Sequence, residues 1–126
     1  MKKILLAMMM IPLVANASKW VLISNTADGG NISIDAESIR RSGDSVTYWT
    51  KSNYASRTES GVLSTKANKT INCRTGELIY RYYIFYDDLN NNGKMLQSFP
   101  ESSSAKWEPI PPDTINELQM KYVCRK

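Results

Sequence analysis

The chain has 126 residues, with 16 lysines and arginines against 12 acidic residues, two cysteines and no histidine. Its length suits one domain, and the missing histidine removes the commonest zinc ligand and general base. The basic residues are scattered singly apart from Arg40-Arg41 and Arg125-Lys126 in the body of the chain, which is not the clustered footprint of a nucleic-acid binder.

Lys2 and Lys3 open the chain, an apolar run extends from Ile4 to Val14, and Ala15-Asn16-Ala17 offers a small-x-small cleavage site. This pattern predicts a secretory signal peptide over residues 1–17. The run falls well short of the ~20 residues a membrane-spanning helix needs. Residues 18–126 are then a single exported domain with no membrane span. Losing Lys2 and Lys3 takes the basic count from 16 to 14 against 12 acidic residues, so much of the net charge belongs to the targeting segment.

The domain opens with Trp20-Val21-Leu22-Ile23, the turn signal Asp28-Gly29-Gly30, and the alternating Asn31-Ile32-Ser33-Ile34, which together predict a hairpin. Asp35 is placed to cap a single turn over Ala36 to Arg40. From Ser45 to Tyr54 the β-branched and aromatic content predicts a strand. Val46, Tyr48 and Thr50 lie on one face of it and Trp49 on the other. Residues 55–65 suit an exposed connection. Lys66 to Cys73 alternates again, with Ala67, Lys69, Ile71 and Cys73 on one face. After the turn at Arg74-Thr75-Gly76-Glu77, the aromatic run from Leu78 to Tyr86 reads as a central strand covered on both sides. Its Tyr80/Tyr82 face is expected in the core, and its Tyr83/Phe85 face against a helix or a partner.

Asn92-Gly93 predicts a tight hairpin turn into a strand from Lys94 to Phe99. The prolines at 109, 111 and 112 exclude a central strand there. Thr114-Ile115-Asn116-Glu117 matches a capping box, and Ile115, Leu118 and Tyr122 fall on one helical face. That face is expected inward, with the helix ending near Tyr122 so that Cys124 turns back toward the sheet. Export to an oxidising compartment makes a Cys73–Cys124 disulfide the expected state, closing a loop worth about 4 kcal/mol in the chain-entropy model. The predicted architecture is α+β: an antiparallel sheet of about five or six strands with a C-terminal helix pinned to it by the disulfide.

Asp88-Leu89-Asn90-Asn91-Asn92-Gly93 copies the opening of a calcium loop, but Phe99 stands where the bidentate glutamate belongs. Asparagine and glycine are also what a turn requires, so this segment reads as a turn and no metal site is assigned. Asp87 and Asp88 are neighbours on extended chain and do not converge, and no serine stands in a G-x-S-x-G context. No catalytic residue and no cofactor are expected.

The succession of Trp20, Asp35 with Ser38-Ile39, Gly43, the strand from Val46 to Trp49, Cys73, the tyrosine-rich strand to Tyr86, Gly93, Trp107, Pro109-Ile110-Pro111 and Cys124 resembles the surface-adhesin protein E-like family of Gram-negative bacteria. The resemblance implies a non-enzymatic domain that binds host extracellular-matrix and plasma proteins, with a helix tethered to a sheet by a disulfide. The family's adhesin type carries a lipid-anchoring cysteine at the cleavage site. Ser18 occupies that position here, so a periplasmic or released protein is expected alongside a cell-surface one. A periplasmic structural or envelope-accessory role without a host ligand is the competing expectation. Arg40, Arg41, Lys66 and Lys69 are the charged positions singled out as a binding surface. An exposed sheet edge offers pairing with a partner strand, including a second copy in a homodimer.

Overall fold

The computed structural model describes residues 18–125. The cleaved leader expected over residues 1–17 lies outside that span. Eight strands form one antiparallel sheet: β1 (Trp20–Asn25), β2 (Asn31–Asp35), β3 (Arg40–Ser42), β4 (Ser45–Asn53), β5 (Ser64–Asn72), β6 (Glu77–Tyr86), β7 (Met95–Pro100) and β8 (Glu108–Pro109), followed by helix α1 (Ile115–Val123). The main order is β1-β2-β4-β5-β6-β7, with β3 beside β4 and β8 beside β6. This is the predicted sheet, enlarged by two short strands at its margins.

Period-two alternation decides which residues are buried. In β4, Val46, Tyr48 and Thr50 are buried while the residues between them are half-exposed. Ile34, Val46, Tyr48, Ile71 and Leu78 form the core together with Val123 of α1, and Ile23, Met120 and Cys124 pack around it. The Cys73–Cys124 disulfide closes the C-terminal end of this layer, with a Cα–Cα distance of 5.8 Å. Asp35 caps the turn at Ala36–Ser38 by accepting from the Glu37 amide, as its position in the sequence requires.

Thr114 caps α1 by accepting from the Glu117 amide. The helix, however, turns a different face inward from the one its apolar residues suggest. Gln119 and Val123 are buried, while Leu118 is 44% exposed. Residues 116, 119, 120, 123 and 124 make a continuous stripe at helical spacing. The disulfide at Cys124 and the polar anchor at Gln119 both lie on that stripe and hold the helix there, and it ends at Val123, one residue from the expected end, with Cys124 as its C-cap.

A second correction concerns β6. An extra residue in β6 interrupts its pairing with β5: Asn68 faces Tyr82 and Lys69 faces Tyr80, which leaves Arg81 unpaired between them. A bulge of this kind reverses the alternation beyond it. Tyr80 and Tyr82, two apart in sequence, therefore lie on opposite faces, 39% and 49% exposed respectively. Tyr80 joins Tyr83 and Phe85 in a chain of edge and tilted ring contacts that runs on to Phe99. The strand is interior to the sheet as expected, paired with β5 on one side and with β7 and β8 on the other, but beyond Ile79 its residues are half-buried or exposed instead of covered on both sides.

The connection after β6 is longer than a two-residue turn. It contains a 3-10 turn at Leu89–Asn91 with Asn90 and Asn91 in the left-handed region, which asparagine tolerates. Asp88 Oδ1 accepts from the Leu89 amide, and Asp87 Oδ1 accepts from the Lys94 amide. The Asn90 amide donates to Asn53 Oδ1. Side-chain oxygens of this segment thus close a turn.

Candidate functional site

The helix covers one face of the sheet and leaves the other without a helical layer. Cross-strand register determines what that open face carries. Lys51 of β4 stands directly opposite Lys66 of β5, and on the next same-face rung Trp49 stands opposite Asn68, which in turn faces Tyr82 of β6. Trp20 of β1 pairs with Asp35 of β2 and lies on the same face. The result is a row of cations beside a row of aromatics. Lys51 Nζ sits 4.5 Å from the Trp20 ring centroid and Lys66 Nζ 4.9 Å from that of Trp49. Trp49 and Tyr82 are stacked with centroids 6.2 Å apart.

These contacts explain how two like charges tolerate a position that ordinarily destabilises a sheet. Each ammonium draws on the negative face of an indole, worth about 0.5–1 kcal/mol at a partly exposed site. Partial desolvation also lowers the pKa of Lys51. Asp35, the carboxylate on the neighbouring rung, is already engaged, accepting from the Lys19 and Glu37 amides.

A groove of about 510 Å³ lies on the other side, between α1 and the sheet, lined by residues that include Thr50, Lys69, Tyr80, Tyr83, Asn116 and Gln119. Lys69 is only 4% exposed. Its Nζ donates to Asn116 Oδ1 at 3.2 Å and to Gln119 Oε1 at 3.1 Å, and it sits 5.1 Å from the Tyr80 ring centroid. Tyr48 Oη also donates to Gln119 Oε1, at 2.8 Å. With two donors on Oε1 the amide has one sensible orientation, which leaves Gln119 Nε2 buried without a partner. Burial without a carboxylate pushes the Lys69 pKa down to about 8, and burial raises that of Tyr48. This cluster is a polar strut between helix and sheet.

The four charged positions picked out in the sequence do not form one surface. Arg40 is exposed, with its Nη1 donating to the Glu37 and Ile39 carbonyls. Arg41 Nη2 donates to the Cys124 carbonyl at 2.9 Å, a favourable place for a cation at a helix C-terminus. Lys66 lies on the open face. Lys69 is a correction: alternation in β5 turns it beneath α1, where amide oxygens replace water. Lys51, Trp20, Trp49 and Tyr82 were not singled out, because their neighbourhood depends on register across five strands, β1-β2-β4-β5-β6.

Among the described residues no three acidic, histidine or cysteine side chains gather as a metal site would require. No described helix is long and apolar enough to cross a membrane. The outer strand β7 is exposed along its length, and Met95, Leu96 and Phe99 are 53%, 39% and 43% exposed.

The fold is similar to that of Haemophilus influenzae protein E. One structure of that protein superposes with a TM-score of 0.65 at 21% identity, covering 84% of this chain and 83% of that one. A selenomethionine form gives 0.64 at 20% identity over 82% and 85%. Protein E from a non-typeable strain gives 0.58 at 18% identity over 84% and 75%. No curated protein matches the chain at a significant level. The family model for surface-adhesin protein E matches residues 20–125. The chain therefore belongs to the surface-adhesin protein E family.

Proposed function

We propose that this protein is an exported, non-enzymatic binding domain that acts through its surface on other proteins, with host extracellular-matrix and plasma proteins as the partner class. The observation that carries this reading is the family match across residues 20–125. The open face supports it. The half-exposed tryptophans and tyrosine of that face combine large rigid contact area with polar tips, and such aromatics are enriched at protein interfaces. The groove under α1 is tied off by internal hydrogen bonds and serves the fold.

The test is binding of the purified domain, residues 18–126, to immobilised matrix and plasma proteins across a salt series. Saturable binding to at least one of them, weakening as salt rises, supports the reading, because a lysine-bearing surface is screened by salt. No saturable binding to any of them at low or high salt would contradict it and favour an envelope-accessory role.

A further inference from the structure

The open face also indicates what kind of protein segment it accepts, an inference that rests on the protein-binding reading above. We propose that the Lys51–Lys66 rung is a seat for an acidic, extended polypeptide segment, whose carboxylates sit between the two ammonium groups while neighbouring side chains lie on Trp49 and Tyr82.

Three observations carry this. Lys51 and Lys66 are register partners, so the backbone sets both side chains on one rung of the open face, with their ammonium groups over the rings of Trp20 and Trp49. The ion pairs of the described residues are Arg74–Asp44, Arg81–Glu101 and Lys121–Glu117, and neither lysine belongs to one. Asp35, the carboxylate paired with Trp20 on this face, is 8% exposed and accepts from two backbone amides through Oδ1. A like-charge rung with no internal anion gains most when an anion enters, because one carboxylate relieves the repulsion and pairs with both cations.

The same geometry favours a polypeptide over an anionic glycan. Sugars are held on such platforms by stacking on open aromatic faces. Here an ammonium occupies one face of Trp20 and one of Trp49, and Tyr82 stacks with Trp49. The ring faces that flat stacking of a sugar needs are thereby taken, whereas apolar side chains of a peptide need only pack against the ring surface that stays exposed, such as that of Tyr82, 49% exposed. Pre-positioned cations beside apolar rings suit alternating acidic and apolar residues on an extended chain, whose same-side side chains recur at about 6.8 Å.

The experiment measures binding of the purified domain to immobilised poly-L-glutamate, to heparin, and to the matrix and plasma proteins of the functional test. The Lys51→Glu/Lys66→Glu double variant is compared with a charge-matched control, Lys94→Glu/Lys106→Glu, on exposed positions elsewhere. Lys51→Gln/Lys66→Gln serves if charge reversal disturbs folding, and unchanged circular dichroism melts qualify each variant. The expected result is poly-L-glutamate binding that quenches or shifts tryptophan fluorescence and falls at least ten-fold in the Lys51/Lys66 variants while the control keeps it. Equal loss in the control overturns the proposal by reducing it to net charge. Stronger binding of heparin than of poly-L-glutamate, lost in the same variants, overturns it in favour of a glycan. Protein binding without any poly-L-glutamate binding overturns the acidic seat and leaves the functional reading standing. Absence of both overturns the two together.

Discussion

Lys69 makes the folded protein gain stability as solution becomes mildly alkaline. The side chain is 4% exposed and has amide oxygens but no carboxylate for partners, and burial lowers its pKa from 10.5 to about 8. Below pH 8 the lysine is charged in both states, and the folded state bears the whole burial cost. Above pH 10.5 it is neutral in both, and the cost is gone. The folded state binds fewer protons between these limits, so stability rises with pH. The full window is worth on the order of 3 kcal/mol, and the part from pH 7.5 to 9.5 about 2 kcal/mol. The raised pKa values of Tyr48, Tyr54 and Tyr80 act oppositely. Their unfolded counterparts ionise near pH 10 and pull stability down beyond it, so a maximum is expected between pH 9 and 10. Urea denaturation at half-unit steps, on wild type and Lys69→Met, measures this directly. Wild type should gain about 2 kcal/mol between pH 7.5 and 9.5, while Lys69→Met should rise much less, keeping only the contribution of the partly desolvated Lys51. Equal slopes for the two proteins would refute the assignment of the buried charge.

The other expectations concern the frame that holds the open face. Cys124→Ser releases a loop with a sequence separation of 51. It should cost about 4 kcal/mol and lower Tm by roughly 15–20 °C, with faster hydrogen exchange in α1; an unchanged melt would mean that the helix is held without the bridge. At Gly30 an added Cβ would lie 2.3 Å from the Asn53 carbonyl oxygen, and backbone cannot yield as a side chain can. Gly30→Ala should cost roughly 1–3 kcal/mol in urea denaturation, whereas Gly43→Ala meets no neighbour within 4 Å and should cost only the strain of its positive φ.

Much of the architecture was legible because alternation is a local signal. Val46, Tyr48 and Thr50 against Trp49, the Asp35 cap and the Thr114 cap each depend on neighbours a few residues away and appear as expected, although Glu117 reaches back to the Asp113 amide instead of completing the capping box at Thr114. Lys69 shows a sharper case. Its alternation with Ala67 and Ile71 already placed it inward, but its charge suggested a surface role. The structure resolves the conflict with Asn116, Gln119 and Tyr80, partners 47, 50 and 11 positions distant that no local pattern announces. The β6 bulge was equally hidden. One unpaired residue at Arg81 separates Tyr80 from Tyr82, and bulges depend on the partner strand as much as on their own sequence. The α1 rotation had the same origin, since Gln119 is polar and reads as an outward residue until Tyr48 and Lys69 are seen to meet it. Trp49 was correctly set apart from the core face, yet its grouping with Lys51, Lys66, Trp20 and Tyr82 required the register of the whole sheet.

Whether the domain is reachable by host proteins is measured by antibody labelling of intact cells that make the native protein, with the culture medium assayed alongside and a periplasmic protein as control. A domain that binds host proteins must be reachable from outside, so intact cells should label, or the protein should appear in the medium, while the periplasmic control stays silent. Detection only after osmotic shock would contradict it, leaving the adhesin fold with a task inside the envelope.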